Sequence, residues 1–215
     1  RRFPILPTKT TEEEKMKLAI ITDQHFGARK GADYIHKYFK KFYDNIFFPY
    51  LEKNKIDTIV DMGDTFDNRR NIDLATLEWA KKNYYDRLQA MGITVHTIVG
   101  NHTAYYKDTN EINTVELLLK EYDNVEVYAE PTTVNLGGLD ILLLPWINEE
   151  NKLQTLEMMD TTSADVIMGH LELNGFVATA GHTMEHGMDT KIFDKFYRVY
   201  SGHYHTRSDN GKIYY

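Results

Sequence analysis

Five short stretches of this chain carry side chains able to hold metal ions, and each closes an apolar run. They are IITDQHFG at residues 20–27, DMGDTFDNRR at 61–70, TIVGNH ending at His102, VIMGH ending at His170 and VYSGHYH ending at His205. A parallel strand delivers ligands in this way to the open end of its sheet. In DQH, the side chains of Asp23 and His25 emerge on one side if the segment stays extended, so both can hold one ion. Asp64, in GDTFD, is the natural bridging carboxylate. Asn101 offers an amide oxygen that ligates without adding charge, after Gly100 has permitted the turn and before His102. His170 ends VIMGH, and His203 with His205 repeats the i, i+2 geometry of DQH. Carboxylate, amide and imidazole donors in this mixture suit manganese, iron or magnesium more than a structural zinc. The chemistry expected is that of a dinuclear metal site.

Each motif alone is a common pattern, and an isolated Asp-x-His is more often a capped turn than a ligand pair. The joint arrangement carries the weight. Of nine histidines, five fall inside these motifs. His36 and His96 read as helix or strand residues, and His182 and His186 as loop residues, His186 being a candidate to face the cleft.

The elements that must position these residues follow a β-α-β rhythm. KLAIIT (17–22) reads as the first strand. A helix over 33–53 carries Tyr34, Tyr38, Phe39, Phe42, Tyr43 and Phe47, at spacings that predict a buried face or a subunit contact. IDTIVDM (56–62) gives the second strand and 73–90 the second helix, with Asp73 as N-cap and Gly92 beyond its end. ITVHTIV (93–99) is the third strand, and TVELLLKEY (114–122) a helix opened by Asn113 or Thr114. VEVY, TTVNL and LDILLLPW read as strands separated by Pro131 and by the hairpin signal Gly137-Gly138, a stretch expected to cross to a second sheet. Residues 149–160 read as helix, ADVIM as a buried strand, 189–196 as a short helix, and RVYSG and KIYY as the last strands. Residues 1–15 lack periodicity and are expected to be a flexible tail or a remnant of cloning, with a true N-terminal arm as the alternative.

Composition bounds the rest. The chain has 215 residues, 42% of them hydrophobic, which suits one sizeable α/β domain. Zero cysteines exclude disulfides, thiolate zinc sites and cysteine nucleophiles, and are compatible with a reducing cytoplasm. No apolar run approaches the ~20 residues of a transmembrane helix, so no membrane partner is expected. The net charge of −7 argues against a nucleic-acid partner only weakly, because several acids are proposed ligands and bound cations would reverse the local field.

DQH, GDTFD, GNH, GH and GHYH together resemble the signature of the calcineurin-like metallophosphoesterases, over essentially residues 17–207. Within that superfamily, GDTFDNRR, TIVGNH, and PWINEEN followed by GHLELNGF resemble the nuclease subunit of SbcCD-type double-strand-break repair complexes, in its tailed-phage recombination form. The resemblance implies a two-layer mixed β-sandwich flanked by helices, with two manganese ions at the strand ends. Asp23, His25 and His205 would hold the first ion, Asn101, His170 and His203 the second, and Asp64 both. His102 matches the family's catalytic histidine, placed over the phosphate. Phosphodiester hydrolysis would proceed by two-metal chemistry without a protein nucleophile.

The same resemblance implies DNA as substrate, an SMC-like ATPase as partner, a homodimer paired through helices, and the host-cell cytoplasm as location. Two departures stand out. The family usually follows Gly-Asn-His with an acidic residue that orients the catalytic histidine, where this chain has Thr103, whose hydroxyl is a candidate to accept that hydrogen bond. The domain over residues 16–215 leaves no room for the family's capping domain and ATPase-docking segment. Arg69 and Arg70, just after GDTFD, are candidates for phosphate contacts, and Lys81 and Lys82 weaker ones. Two other readings stay open: a metallophosphoesterase acting on phosphoproteins, cyclic nucleotides or small phosphodiesters, and a degenerate scaffold or partner-binding module.

Overall fold

A computed structural model describes residues 16–179 and 181–215; the expected tail over 1–15 lies outside the described residues. Two sheets stack face to face, each covered on its outer side by helices or loops. The first has the order β1-β2-β3-β4, all parallel: β1 Leu18–Ile21, β2 Thr58–Asp61, β3 Thr94–Ile98 and β4 Val125–Tyr128. The second has the order β11-β10-β7-β6-β5, parallel except where the hairpin strand β5 (Thr132–Leu136) meets β6 (Leu139–Leu144). Its other strands are β7 Val166–His170, β10 Arg198–Gly202 and β11 Ile213–Tyr214. The chain crosses between sheets at Pro131, where the sequence places the change.

Strand periodicity sorts the apolar residues into three layers. In β2, Ile59 faces the helices while Val60 faces the other sheet; in β6, Leu142 and Leu144 face outward while Ile141 and Leu143 face in. Val60, Met62, Ile98, Ile141, Leu143, Val166 and Met168 form the dry middle layer. Strands buried on both faces read as continuous apolar runs, which is why TIVD and ILLL were legible. The mixed α/β sandwich expected from the sequence is the observed architecture.

Two long helical segments, accompanied by a shorter third helix, cover the first sheet. The segment over 33–54, α1, is α-helical at Asp33–Phe42, π-helical at Tyr43–Phe47 and α-helical again at Phe48–Asn54. The segment over 74–90, α2, repeats the form with a π turn at Lys81–Tyr85 between Leu74–Ala80 and Asp86–Ala90. Asp73 is the N-cap as expected, its carboxylate accepting from Thr76 N at 2.8 Å. The aromatic face expected along α1 divides in two. Tyr43 and Phe47 are buried, but Tyr34, Tyr38 and Phe42 are exposed and line up with exposed Ile46 and Tyr50 at intervals of four.

The remaining helices are shorter than the sequence suggests. Asn113, not Thr114, caps α3 (Thr114–Leu119), accepting from Glu116 N at 2.8 Å. The helix expected from 149 starts later, as α4 at Lys152–Thr161, because Asn148 to Asn151 fold into a side-chain-bonded turn. The helix expected over 189–196 is a single 3-10 turn at Thr190–Phe193. A small hairpin of β8 (Val177–Thr179) and β9 (His182–Thr183) was not foreseen, and it places His182 in a strand.

Candidate metal centre

Every predicted site residue lies at the carboxyl end of a parallel strand, and both sheets present those ends on the same side. The turns after β1 and β2 are laced together: Asp23 N donates to Gly63 O (2.9 Å), His25 N to Asp64 O (2.9 Å) and Phe26 N to Thr65 O (2.8 Å). Close approach between turns explains two glycines. A Cβ at Gly100 would lie 2.5 Å from Asp64 N, and one at Gly202 2.8 Å from Asp23 Oδ2.

DQH does not stay extended. Asp23 (φ 51°) and His25 (φ 47°) are both left-handed, as are Asp64 (φ 51°) and His203 (φ 89°). The side chains still converge, but through a coiled turn, a conformation costly for residues other than glycine and concentrated at functional sites.

Two clusters result. In one, His205 Nε2 lies 3.3 Å from Asp23 Oδ1 and 3.0 Å from His25 Nε2. In the other, Asn101 Oδ1 lies 2.9 Å from both His170 Nε2 and His203 Nδ1, and Asp64 Oδ2 lies 3.2 Å from His170 Nε2. The same Asp64 oxygen is 3.9 Å from His25 Nε2, so one carboxylate reaches both clusters. His170 Nδ1 donates to Met62 O at 2.9 Å, which turns its Nε2 lone pair toward the donors.

The donor set fits divalent cations. Carboxylate, amide oxygen and imidazole nitrogens that face one another at these distances repel unless a cation or a proton lies among them. Burial by itself lowers the His170 pKa, but the Asp64 charge and hydrogen bond raise it to about 9. Burial and the neighbouring His170 charge push His203 down to about 4. Burial opposes ionisation of Asp23 and Asp64, yet the surrounding histidines hold both below the usual carboxylate range. The proton on His170 therefore occupies a lone pair for which a metal would compete, while His203, Asp23 and Asp64 keep lone pairs free to ligate. Asp23-His25-His205 and Asp64-His170-His203 each bring their ligand atoms within 4.8 Å of one another.

His102 stands beside the clusters, its ring edge-on to His25 with centroids 4.9 Å apart. Its main-chain N–H donates to Asp64 Oδ1 (2.8 Å), and its Nδ1 donates to the carbonyl of Asp67 (2.7 Å). The candidate partner for that ring, Thr103, plays a different part. Its fully buried hydroxyl donates to Gly100 O (3.0 Å) and accepts from Gly100 N (2.9 Å).

Asp67 was not singled out in the sequence, although it is the second acid of GDTFD. Besides holding His102, its carboxylate lies 3.1 Å from His25 Nδ1. Gln24 was also missed. Its side chain points away from the clusters, accepting from Tyr43 OH (2.5 Å) and donating to buried Asp61 (3.2 Å). Burial pushes Asp61 up to about 7, against hydrogen bonds from Thr65, Gly63 and Gln24.

The other candidates make no hydrogen bond or ion pair with the ligands among the described residues. Arg69 lies over Trp146 and Arg70 over Tyr105, with guanidinium-to-centroid distances of 5.5 and 5.6 Å. Lys81 pairs with Glu121, and Lys82 is exposed. His36 is stacked on Trp79 (4.7 Å between centroids) and His96 bonds Tyr128 OH (2.9 Å), both structural. His182 and His186 are exposed.

The family of calcineurin-like phosphoesterases matches residues 16–207. Over 202 residues the chain is 39% identical to exonuclease subunit 1 of enterobacteria phage T4, covering 93% of this chain and 58% of that protein. Over 217 residues it is 26% identical to putative phosphoesterase 078R of invertebrate iridescent virus 3, covering 97% of this chain and 58% of that one. The chain thus spans well under two thirds of the length of these relatives. Among the described residues, no helix is long and apolar enough to cross a membrane.

Proposed function

The chain belongs to the calcineurin-like phosphoesterase family, and we propose that it is the catalytic part of a manganese-dependent DNA exonuclease and endonuclease acting in recombination and double-strand-break repair. The observation that carries this reading is the pair of donor clusters shared by Asp64, with His102 at their edge. The T4 relative, named an exonuclease subunit, favours DNA over a phosphoprotein or a small diester as substrate, and a working site over a degenerate scaffold.

In this reading Asp23, His25 and His205 would hold one divalent ion, Asn101, His170 and His203 a second, and Asp64 both. Such ions, when bound, supply charge neutralisation at the phosphate and acidify the attacking water. His102, its Nδ1 committed to the Asp67 carbonyl, presents Nε2 outward to stabilise developing charge or to protonate the leaving oxygen. Arg69 and Arg70 flank the site as phosphate contacts. The word subunit in the relative's name supports a partner, for which the family resemblance suggests an SMC-like ATPase. The exposed row of Tyr34, Tyr38, Phe42, Ile46 and Tyr50 supports pairing of two copies through α1, since contiguous apolar patches mark contact surfaces.

The test is degradation of end-labelled duplex and single-stranded DNA in manganese, magnesium or chelator, with His102→Ala and Asp64→Ala as controls. Manganese-dependent cleavage lost in both variants is expected. Intact DNA alongside hydrolysis of a small phosphodiester would move the substrate assignment to small diesters. Neither reaction from metal-loaded protein would leave the scaffold reading.

A further inference from the structure

A pocket of about 480 Å³ is lined among others by Trp146, Lys107, Lys152, Glu149, Glu172 and Gly187, on segments that run into the strand ends carrying the proposed ligands. The chain connects it directly to the proposed chemistry. Trp146 N donates to Val99 O at 2.8 Å, two residues before Asn101. Glu172 follows His170 by two positions, and Arg69, which follows Asp67 by two, rests against the Trp146 indole and donates to Tyr106 O at 3.4 Å.

The walls are built rather than incidental. Three buried asparagines, Asn110, Asn148 and Asn151, tie the 105–110 loop to the 146–151 turn. Asn110 Nδ2 donates to Trp146 O (2.9 Å) and to Ala129 O (3.1 Å), Asn148 Nδ2 to Asn110 Oδ1 (3.0 Å), and Asn151 Nδ2 to Trp146 O (3.0 Å). Asn148 N in turn donates to Asn151 Oδ1 at 2.9 Å. A satisfied buried network of this kind fixes a single arrangement. Opposite, Gly187 admits close packing, since a Cβ there would lie 2.6 Å from Glu172 O.

We propose that this pocket receives a nucleobase swung out of a DNA strand whose adjoining phosphodiester lies at the metal centre. The volume falls within the roughly 300–1,000 Å³ of small-molecule sites. Two lysines balance two glutamates on the lining, which suits a neutral ring rather than a bare phosphate. Trp146 offers a stacking surface, worth about 1–3 kcal/mol per base in single-strand binders, and a carboxylate accepts from an exocyclic amine such as that of cytosine. The enzyme would thereby act on unpaired or frayed nucleotides in preference to a stacked duplex, paying the cost of unstacking only where it is small.

The inference rests on the nuclease reading, and the experiment separates the two. Single-stranded oligonucleotides with one susceptible linkage carry either a cytosine or an abasic sugar beside it, and manganese-loaded protein cleaves each. The expected result is about tenfold faster cleavage beside the base, the size of effect one stacked base gives. Trp146→Ala cleaves the two substrates at equal rates, and Trp146→Phe keeps the preference. The Trp146 main chain, not its ring, makes the network bonds, so the alanine variant retains the clamp. Equal rates in the wild type, or a preference that survives in Trp146→Ala, would overturn the pocket assignment. Should no oligonucleotide be cleaved, the nuclease reading fails, and the pocket is read separately in chelator. There, deoxycytidine 5′-monophosphate quenches tryptophan fluorescence in the wild type and not in Trp146→Phe; no quenching overturns the proposal.

Discussion

His102 is anchored to the main chain of Asp67, its Nδ1 held 2.7 Å from the carbonyl oxygen. A carbonyl cannot be protonated, so it fixes the ring orientation and the tautomer without contributing a charge. The substitution of threonine at position 103 therefore does not leave the ring unsupported.

This relationship predicts that Thr103→Val loses stability more than activity. The Thr103 hydroxyl bridges Gly100 N and O, and deleting it from a buried site costs about 1–3 kcal/mol. Thermal unfolding should show a lower Tm, while phosphodiester hydrolysis keeps its pH profile. His102→Ala should lose about 10²- to 10⁴-fold, the usual contribution of a positioned acid or base. A valine variant as inactive as His102→Ala would contradict the assignment.

Asp64 reaches both donor clusters, whereas Asp23 belongs to one. Manganese titration followed by calorimetry should show Asp23→Ala weakening one binding event and Asp64→Ala weakening both. Equal effects from the two variants would argue against a shared carboxylate.

Asp61 is fully buried with its pKa raised to about 7 from the usual 3.8. A carboxyl raised by folding favours the native state below its unfolded pKa, and that contribution is lost as pH rises through the folded one. In chelator, Asp61→Asn should therefore match the wild type near pH 3.8 and gain on it up to about pH 7, with the difference level above. Gln24 can turn its amide to satisfy the new side chain. Chemical denaturation at a series of pH values measures this, and a difference independent of pH would show that the group does not titrate in the fold.

The exposed row along α1 predicts a self-association that charge disrupts. Tyr38 and Ile46 are 71% and 60% exposed, so replacing both with glutamate should leave the fold intact. Sedimentation should find the wild type as a dimer and the double variant as a monomer. An unchanged mass would remove α1 as the contact surface.

Much of this was legible because parallel strands impose a simple grammar. A run such as TIVD or VIMGH, buried on both faces, announces its strand, and the residue after the run announces the site. The first-sheet strands, the crossing at Pro131, the Asp73 cap and the convergence of Asp23, Asp64, Asn101, His170 and His203 all follow from that grammar. What stayed hidden depends on backbone winding or on distant partners. The left-handed conformations of Asp23, His25, Asp64 and His203 have no periodic signal. Asp67 holds His102 through its carbonyl, which every residue possesses. The asparagines at 110, 148 and 151 are polar loop residues by type, and only the meeting of two loops buries them.

The π turn at Tyr43–Phe47 has a consequence for how this protein can evolve. Residues spaced by four drift about 40° per step around an α-helix, so a row from Tyr34 to Tyr50 would spread over roughly 160°. The wider turn takes back part of that drift and keeps the row on one side, while the same turn aims Tyr43 at Gln24. A π turn of this length holds one residue more than the α winding it replaces, so deleting one residue between 43 and 47 would restore ordinary winding and leave the two halves of α1 close to their present phase. Such a deletion would change the turn itself, and with it the placement of Tyr43 against Gln24. Lineages of this protein can therefore gain or lose that residue without turning the ends of the helix against each other, but only at the expense of the inner anchor.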